Sequence, residues 1–71
     1  MKYVEIALAV PLDRTFTYAV TTEQNPDNVS LIGRRVLVNF HNRKLIGYVV
    51  NESDTTDSTY QIKNVEKVID D

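Results

Sequence analysis

Arg34-Arg35-Val36-Leu37-Val38-Asn39-Phe40-His41-Asn42-Arg43-Lys44-Leu45-Ile46-Gly47-Tyr48-Val49-Val50-Asn51 is the stretch that decides the fold. Val36, Val38 and Phe40 alternate with Arg35, Leu37 and Asn39, and a period of two is the period at which a strand turns its side chains from one face to the other. His41-Asn42-Arg43 reads as a short polar turn. Ile46, Tyr48 and Val50 then alternate with Leu45, Gly47, Val49 and Asn51. Residues 34–51 therefore predict one β-hairpin, with Phe40 and Tyr48 on the face assigned to the core.

Toward the N-terminus the same period recurs twice. Val4, Ile6, Leu8 and Val10 occupy every second position until Pro11, which has no amide hydrogen for a ladder. After the turn-like Pro11-Leu12-Asp13-Arg14, Phe16, Tyr18 and Val20 alternate with Thr15, Thr17, Ala19 and Thr21, a second strand rich in aromatic and β-branched residues. Residues 22–30 form a polar loop in which Asn25-Pro26-Asp27 sets a tight turn. Toward the C-terminus, residues 52–59 are rich in Ser, Thr and Asp and read as a loop. Residues 60–69 fit two patterns: Ile62, Val65 and Ile69 sit at helical spacing, and a bulged strand fits them as well. The strand is preferred because the other four segments need a partner to close a sheet. Five short strands sharing one apolar face predict an all-β fold, a small five-stranded barrel of the OB-like or SH3-like kind with the hairpin at its centre. Residues 1–71 make one domain.

Composition narrows the function. Seventy-one residues bury only about 60% of the surface they expose when unfolded, which leaves little scaffold for a catalytic cleft. No apolar run approaches the roughly 20 residues of a membrane span. The N-terminal residues lack the apolar stretch of a signal peptide, and there is no cysteine for a disulfide or a thiolate metal site. The expected location is cytoplasmic. Net charge is −2, but it is unevenly spread. Residues 28–51 carry Arg34, Arg35, Arg43 and Lys44 without one Asp or Glu, whereas residues 52–71 carry six acidic residues against Lys63 and Lys67. A basic ribbon of this kind suits an anionic partner, but exposed charges are more often simply solvated.

Catalytic groups are scarce. There is no Gly-rich phosphate loop and no Cys nucleophile, and His41 is the sole histidine, so neither a His-based triad nor a multi-His metal site can form within the chain. The carboxylates of the C-terminal third lie in loop-like sequence. Periodicity assigns Phe16, like Tyr18, Phe40 and Tyr48, to the core. An aromatic at a strand end beside Arg14 also suits stacking on a nucleic-acid base, worth roughly 1–3 kcal/mol in single-strand binders.

Three blocks in order carry a family resemblance. Residues 7–18 (Ala7-Leu8-Ala9-Val10-Pro11-Leu12-Asp13-Arg14-Thr15-Phe16-Thr17-Tyr18), the block from Gly33 to Phe40 with Ile46-Gly47-Tyr48-Val49-Val50, and residues 62–70 together resemble the N-terminal module of PriA, the bacterial replication-restart helicase family. The likeness covers nearly the whole chain apart from the two polar loops. It implies that the chain is an N-terminal piece of a larger ATP-dependent 3′-5′ DNA helicase. It implies a small β domain, itself without enzymatic activity, that binds the 3′ end of a DNA strand regardless of base identity, such as the nascent leading strand at a stalled fork. Other primosome proteins are further partners implied in this way. The module needs no cofactor of its own; ATP and zinc belong to later domains of the family.

Carried over position by position, the resemblance places Phe16 at the pocket aromatic and Lys63 at a basic position near the terminal nucleotide or its phosphate. Thr17 stands where the family often has Asp, a good acceptor for the terminal hydroxyl; a threonine accepts as a neutral group and makes a weaker contact. His41 stands where a Gly is common, and its ring would narrow the pocket or stack on the sugar. Arg34, Arg35, Arg43 and Lys44 are candidate phosphate contacts from charge placement alone. The competing readings are an SH3-like module that binds an acidic protein segment and an RNA-binding barrel.

Overall fold

The computed structural model describes residues 2–11, 14–56 and 62–69. Alternating apolar residues give five strands in chain order: β1 (Lys2–Leu8), β2 (Phe16–Val20), β3 (Arg35–Phe40), β4 (Arg43–Ser53) and β5 (Lys67–Ile69). They form one sheet in the order β2-β1-β4-β3-β5, and every pairing between neighbouring strands is antiparallel. The sheet curls until its edge strand β2 meets the segment that leads into β5. The Ala19 amide of β2 donates to the Lys63 carbonyl at 2.9 Å, and the Val65 amide donates to the Ala19 carbonyl at 2.9 Å. This short parallel seam between Ala19 and Asn64 joins the edge strand β2 to the chain entering β5, and it satisfies backbone groups that an open edge would leave to solvent. The expected small barrel with a central hairpin is what the strands build.

Val4, Ile6, Val20, Leu31, Val36, Val38, Val49 and Val65 fill the inside of the curl, with Leu8, Phe16 and Val68 packed at its margins. Most of them are β-branched, the type that packs best on a pleated surface. The polar loop behaves as its composition predicts. Asn25 is buried, its amide donates to the Val29 carbonyl at 2.9 Å, and its oxygen accepts from the Val29 amide at 3.3 Å. Gly33, at φ +86°, takes a left-handed conformation that a residue with a Cβ resists, and its amide donates to the Val49 carbonyl at 2.7 Å.

One face assignment reverses. Ile46, Tyr48 and Val50 point to solvent, at 44%, 54% and 48% exposure, and Val49 is buried with Gly47 instead. The cause is the length of the turn. A three-residue turn would set Val38 opposite Ile46 and Val36 opposite Tyr48. His41 and Asn42 alone make the turn, so Phe40 pairs with Arg43, Val38 with Leu45 and Val36 with Gly47. A slip of one residue moves a whole strand to its other face. Positive φ at both His41 (51°) and Asn42 (64°) identifies the type I′ geometry that two-residue hairpins prefer. Gly47 then faces inward at close quarters: a Cβ there would overlap Ile6 Cγ2 and lie 2.7 Å from Leu8 Cδ2.

Other boundaries shift by a few residues. β1 stops at Leu8, short of Val10. β4 runs on through Ser53 into the expected loop, because a register shift between Glu5 and Ile6 lets it keep pairing with β1 as far as Tyr3. Of the last segment, Lys67–Ile69 is a regular strand and Asn64 makes an isolated bridge to Ala19. Tyr60 and Gln61, like Leu12, Asp13 and residues 57–59, lie outside the described residues. At the end of β4, Glu52 Oε2 accepts the Leu31 amide at 2.9 Å and lies 3.7 Å from Lys2 Nζ. The Leu31 hydrogen bond is the main reason that the Glu52 carboxyl titrates below its ordinary value; Lys2 adds to the shift and burial opposes it. Among the described residues no helix is long and apolar enough to cross a membrane, and no cluster of His, Asp or Glu is placed to hold a metal ion.

Candidate nucleic-acid interface

Closure of the barrel builds a concavity at the end where β2 begins. Phe16, the first residue of β2, turns its ring toward the tip of the β3–β4 hairpin and meets Phe40 edge-on, with centroids 4.8 Å apart and planes at 69°. Phe40 in turn meets the His41 ring at 4.3 Å and 82°. Edge-to-face contacts at these separations are favourable for aromatic quadrupoles. The Arg14 guanidinium lies 4.7 Å from the centroid of Phe16, within cation–π range. The seam hydrogen bond from Ala19 fixes the backbone of Lys63 beside β2. The Tyr18 hydroxyl donates to the Asn39 carbonyl at 2.9 Å, spanning the concavity's floor from β2 to β3. Burial pushes the Tyr18 phenol up from its ordinary pKa.

The result is a concavity of about 680 Å³ lined by Arg14, Thr15, Phe16, Thr17, Tyr18, Asn39, Phe40, His41, Asn42, Ile62 and Lys63. That volume falls within the range of small-molecule sites, roughly 300–1,000 Å³. Its chemistry is mixed: two half-buried phenyl rings, the exposed side chains of Arg14, His41 and Lys63, and a row of hydroxyl and amide groups. Asn39 Oδ1 is buried with no hydrogen-bond partner among the described residues. Behind the threonines stands Glu5 of β1, the cross-strand partner of Thr17. The Thr15 hydroxyl donates to Glu5 Oε1 at 2.9 Å, and the Thr17 hydroxyl donates to Glu5 Oε2.

Of the residues singled out in the sequence, Phe16, Thr17, His41 and Lys63 meet here although 47 positions separate the first from the last. The four hairpin cations do not line the concavity. Arg43 and Lys44 follow the His41-Asn42 turn and are exposed, with Lys44 Nζ 3.6 Å from Glu66 Oε1. Arg34 and Arg35 lie at the other end of the hairpin, where Arg35 pairs with Tyr48 and with Ile69. Asn39 and Glu5 are not among the residues predicted for the site, and Phe40, predicted for the core, is a half-buried wall of the concavity. The signal for Glu5 was present: in an antiparallel pair the outward residues of β1 and β2 face one another, and Glu5 and Thr17 are both outward.

Comparison with known proteins gives a consistent result. The family described as 3'DNA-binding domain (3'BD), of PriA, matches residues 5–71. The replication restart protein PriA of Treponema pallidum is 37% identical over 73 residues, covering 96% of this chain and 11% of that protein. The replication restart protein PriA of Haemophilus influenzae is 52% identical over 52 residues, covering 72% of this chain and 6% of that protein. The chain thus spans about a tenth or less of the length of the curated relatives it matches.

Proposed function

The chain belongs to the 3'DNA-binding domain family of PriA, and from that premise we propose that its concavity receives the 3′-terminal nucleotide of a DNA strand. One observation carries the reading: a stackable ring (Phe16), a hydroxyl acceptor (Thr17), an imidazole (His41) and an ammonium (Lys63) line one concavity with room for a nucleotide. Every base has a π-face, so stacking on Phe16 is indifferent to sequence. Lys63, and Arg14 where it leaves the Phe16 ring, neutralise the phosphate that precedes the terminal sugar. The terminal hydroxyl donates to Thr17. Arg43 and Lys44, next to the turn, continue the positive path for the strand as it leaves.

In this reading the domain is the recognition module of a larger ATP-dependent DNA helicase that restarts replication. It locates the nascent leading strand at a forked junction, with other primosome proteins as further partners, while ATP and zinc are bound by other domains. The module itself carries out no reaction.

Titration of the 71-residue chain with matched single-stranded oligonucleotides tests the proposal. Weak, strongly salt-dependent binding is expected, since so small a surface neutralises few phosphates. A free 3′ hydroxyl should be preferred over a 3′ phosphate. Equal affinity for the two ends would remove end recognition and leave general DNA binding standing.

A further inference from the structure

We infer that Glu5 is a specificity-determining residue: its carboxylate holds the Thr17 hydroxyl as a pure hydrogen-bond acceptor, so that the concavity admits a terminus that donates and disfavours one that is an anion. The inference rests on the end-binding reading above and extends it to a residue outside the concavity's lining.

A threonine hydroxyl has one proton to give and two lone pairs with which to accept. Left to itself it rotates to suit either kind of partner, and it discriminates between a hydroxyl and a phosphate only poorly. Here the rotation is settled. The Thr17 proton is directed to Glu5 Oε2, and the other carboxylate oxygen is occupied by Thr15 at 2.9 Å. Both oxygens of Glu5 are thus committed to the two threonines that line the concavity. The strand ladder fixes the arrangement, because Glu5 and Thr17 are directly opposed in the β1–β2 register.

Two consequences follow from the donor's position. With its proton engaged, Thr17 offers only lone pairs to whatever enters. Donation to a carboxylate also polarises the hydroxyl, which strengthens the bond it accepts in turn. A neutral threonine thereby acquires part of the acceptor strength of a carboxylate. A sugar hydroxyl completes the chain from ligand to Thr17 to Glu5. A terminal phosphate brings oxygen acceptors to an oxygen acceptor, with the Glu5 charge behind it. Lys63 does not cancel this preference, since the phosphate linking the last two nucleotides is present in both kinds of strand.

The test compares oligonucleotides ending in a 3′ hydroxyl, a 3′ hydrogen and a 3′ phosphate, bound to the unsubstituted chain and to Glu5→Gln. Glutamine preserves size but removes the charge, and its amide can donate to Thr17 and free that hydroxyl to rotate. The expected order for the unsubstituted chain is hydroxyl, hydrogen, phosphate. In Glu5→Gln the preference for hydroxyl over phosphate should shrink roughly five- to tenfold, the difference between a charge-assisted and a neutral hydrogen bond. On a Thr17→Val background, where only the direct effect of the Glu5 charge remains, the same substitution should change the ratio much less. A purely structural Glu5 would lower the melting temperature and leave the ratio alone. If Glu5→Gln melts below the assay temperature, Glu5→Thr supplies a neutral β-former at the same position. Full retention of the preference in the charge-free variant overturns the inference and leaves end binding intact. Absence of any preference in the unsubstituted chain defeats the end-binding reading itself, and this inference with it.

Discussion

His41 and Asn42 hold φ values of 51° and 64°, a region that costs most residues about 1 kcal/mol and Asn rather less. His41 is the less suited of the two, which gives a physical reason for the Gly that the PriA resemblance implies at this position. Asn-Gly is the pair best matched to a type I′ turn. The double substitution His41→Asn, Asn42→Gly is therefore expected to stabilise the chain by roughly 0.5–1 kcal/mol, seen as a melting temperature several degrees higher. A lower melting temperature would mean that the His41–Phe40 ring contact outweighs the backbone strain. Phe16 is the other residue on which a single change is informative. It is half-buried, packed against Phe40 on one edge and covered by Arg14. Phe16→Ala should cost about 1–2 kcal/mol, less than the 3–5 kcal/mol of a fully buried phenylalanine. The folded variant should bind single-stranded DNA at least fivefold more weakly, given roughly 1–3 kcal/mol for a stacked base. Thermal melting and a binding titration on the same sample separate the two effects.

At the scale of elements, β4 shows where a sequence informs and where it does not. The four strands from β1 to β4 were legible because their apolar residues recur with period two. The inward face of β4 was not, since a turn of two residues and one of three leave the same alternation on the page. Only the backbone conformation of His41 and Asn42 decides between them. β5 was legible only as an ambiguity, because three residues of strand carry too little pattern to exclude a helix. Once β4 is set in its true phase, Gly47 becomes the tightest point of the sheet. Gly47→Ala forces its new methyl into Ile6 and Leu8, and overpacking of that kind costs about 1–3 kcal/mol. Chemical denaturation should show a reduced midpoint, whereas Tyr48→Ala, one residue along and 54% exposed, should move it much less. The far end of β4 makes a prediction about pH. Glu52 has a folded pKa below its unfolded value of about 4.5, chiefly because it accepts the Leu31 amide. A depressed carboxylate contributes stability that is present above the unfolded pKa and is lost as pH falls through the folded one. Acid unfolding should therefore be shallower in Glu52→Gln, whose melting temperature is lower than that of the parent at neutral pH and converges on it below pH 4.5.

For the whole molecule, the decisive event is the meeting of edge strand β2 with the segment that leads into β5. Phe16, Thr17, His41 and Lys63 came from the family pattern, and neither composition nor periodicity brought them together. The distance between residues 16 and 63 is set by curl and seam, which are properties of the closed sheet rather than of any segment. Charge behaves the same way. A net charge of −2 argues nothing for DNA, and the basic stretch in the sequence divides in space between the two ends of the hairpin. Arg43 adjoins the turn that lines the concavity, whereas Arg34 precedes β3 at the opposite end. In the proposed seating, a strand held by its terminus and leaving over the hairpin tip would meet Lys63 and Arg43 and would miss Arg34. For single strands, each phosphate neutralised contributes about 0.7 to the slope of log affinity against log salt. Lys63→Ala and Arg43→Ala should each flatten that slope by about that amount, whatever the base sequence, while Arg34→Ala leaves it unchanged. Lys44 is expected to matter less than Arg43, because its ammonium lies 3.6 Å from Glu66 and exposed pairs of this kind already offset part of the charge. A slope that flattens with Arg34→Ala but not with Arg43→Ala would reverse the path, sending the backbone along the base of the hairpin and away from the ring of Phe16.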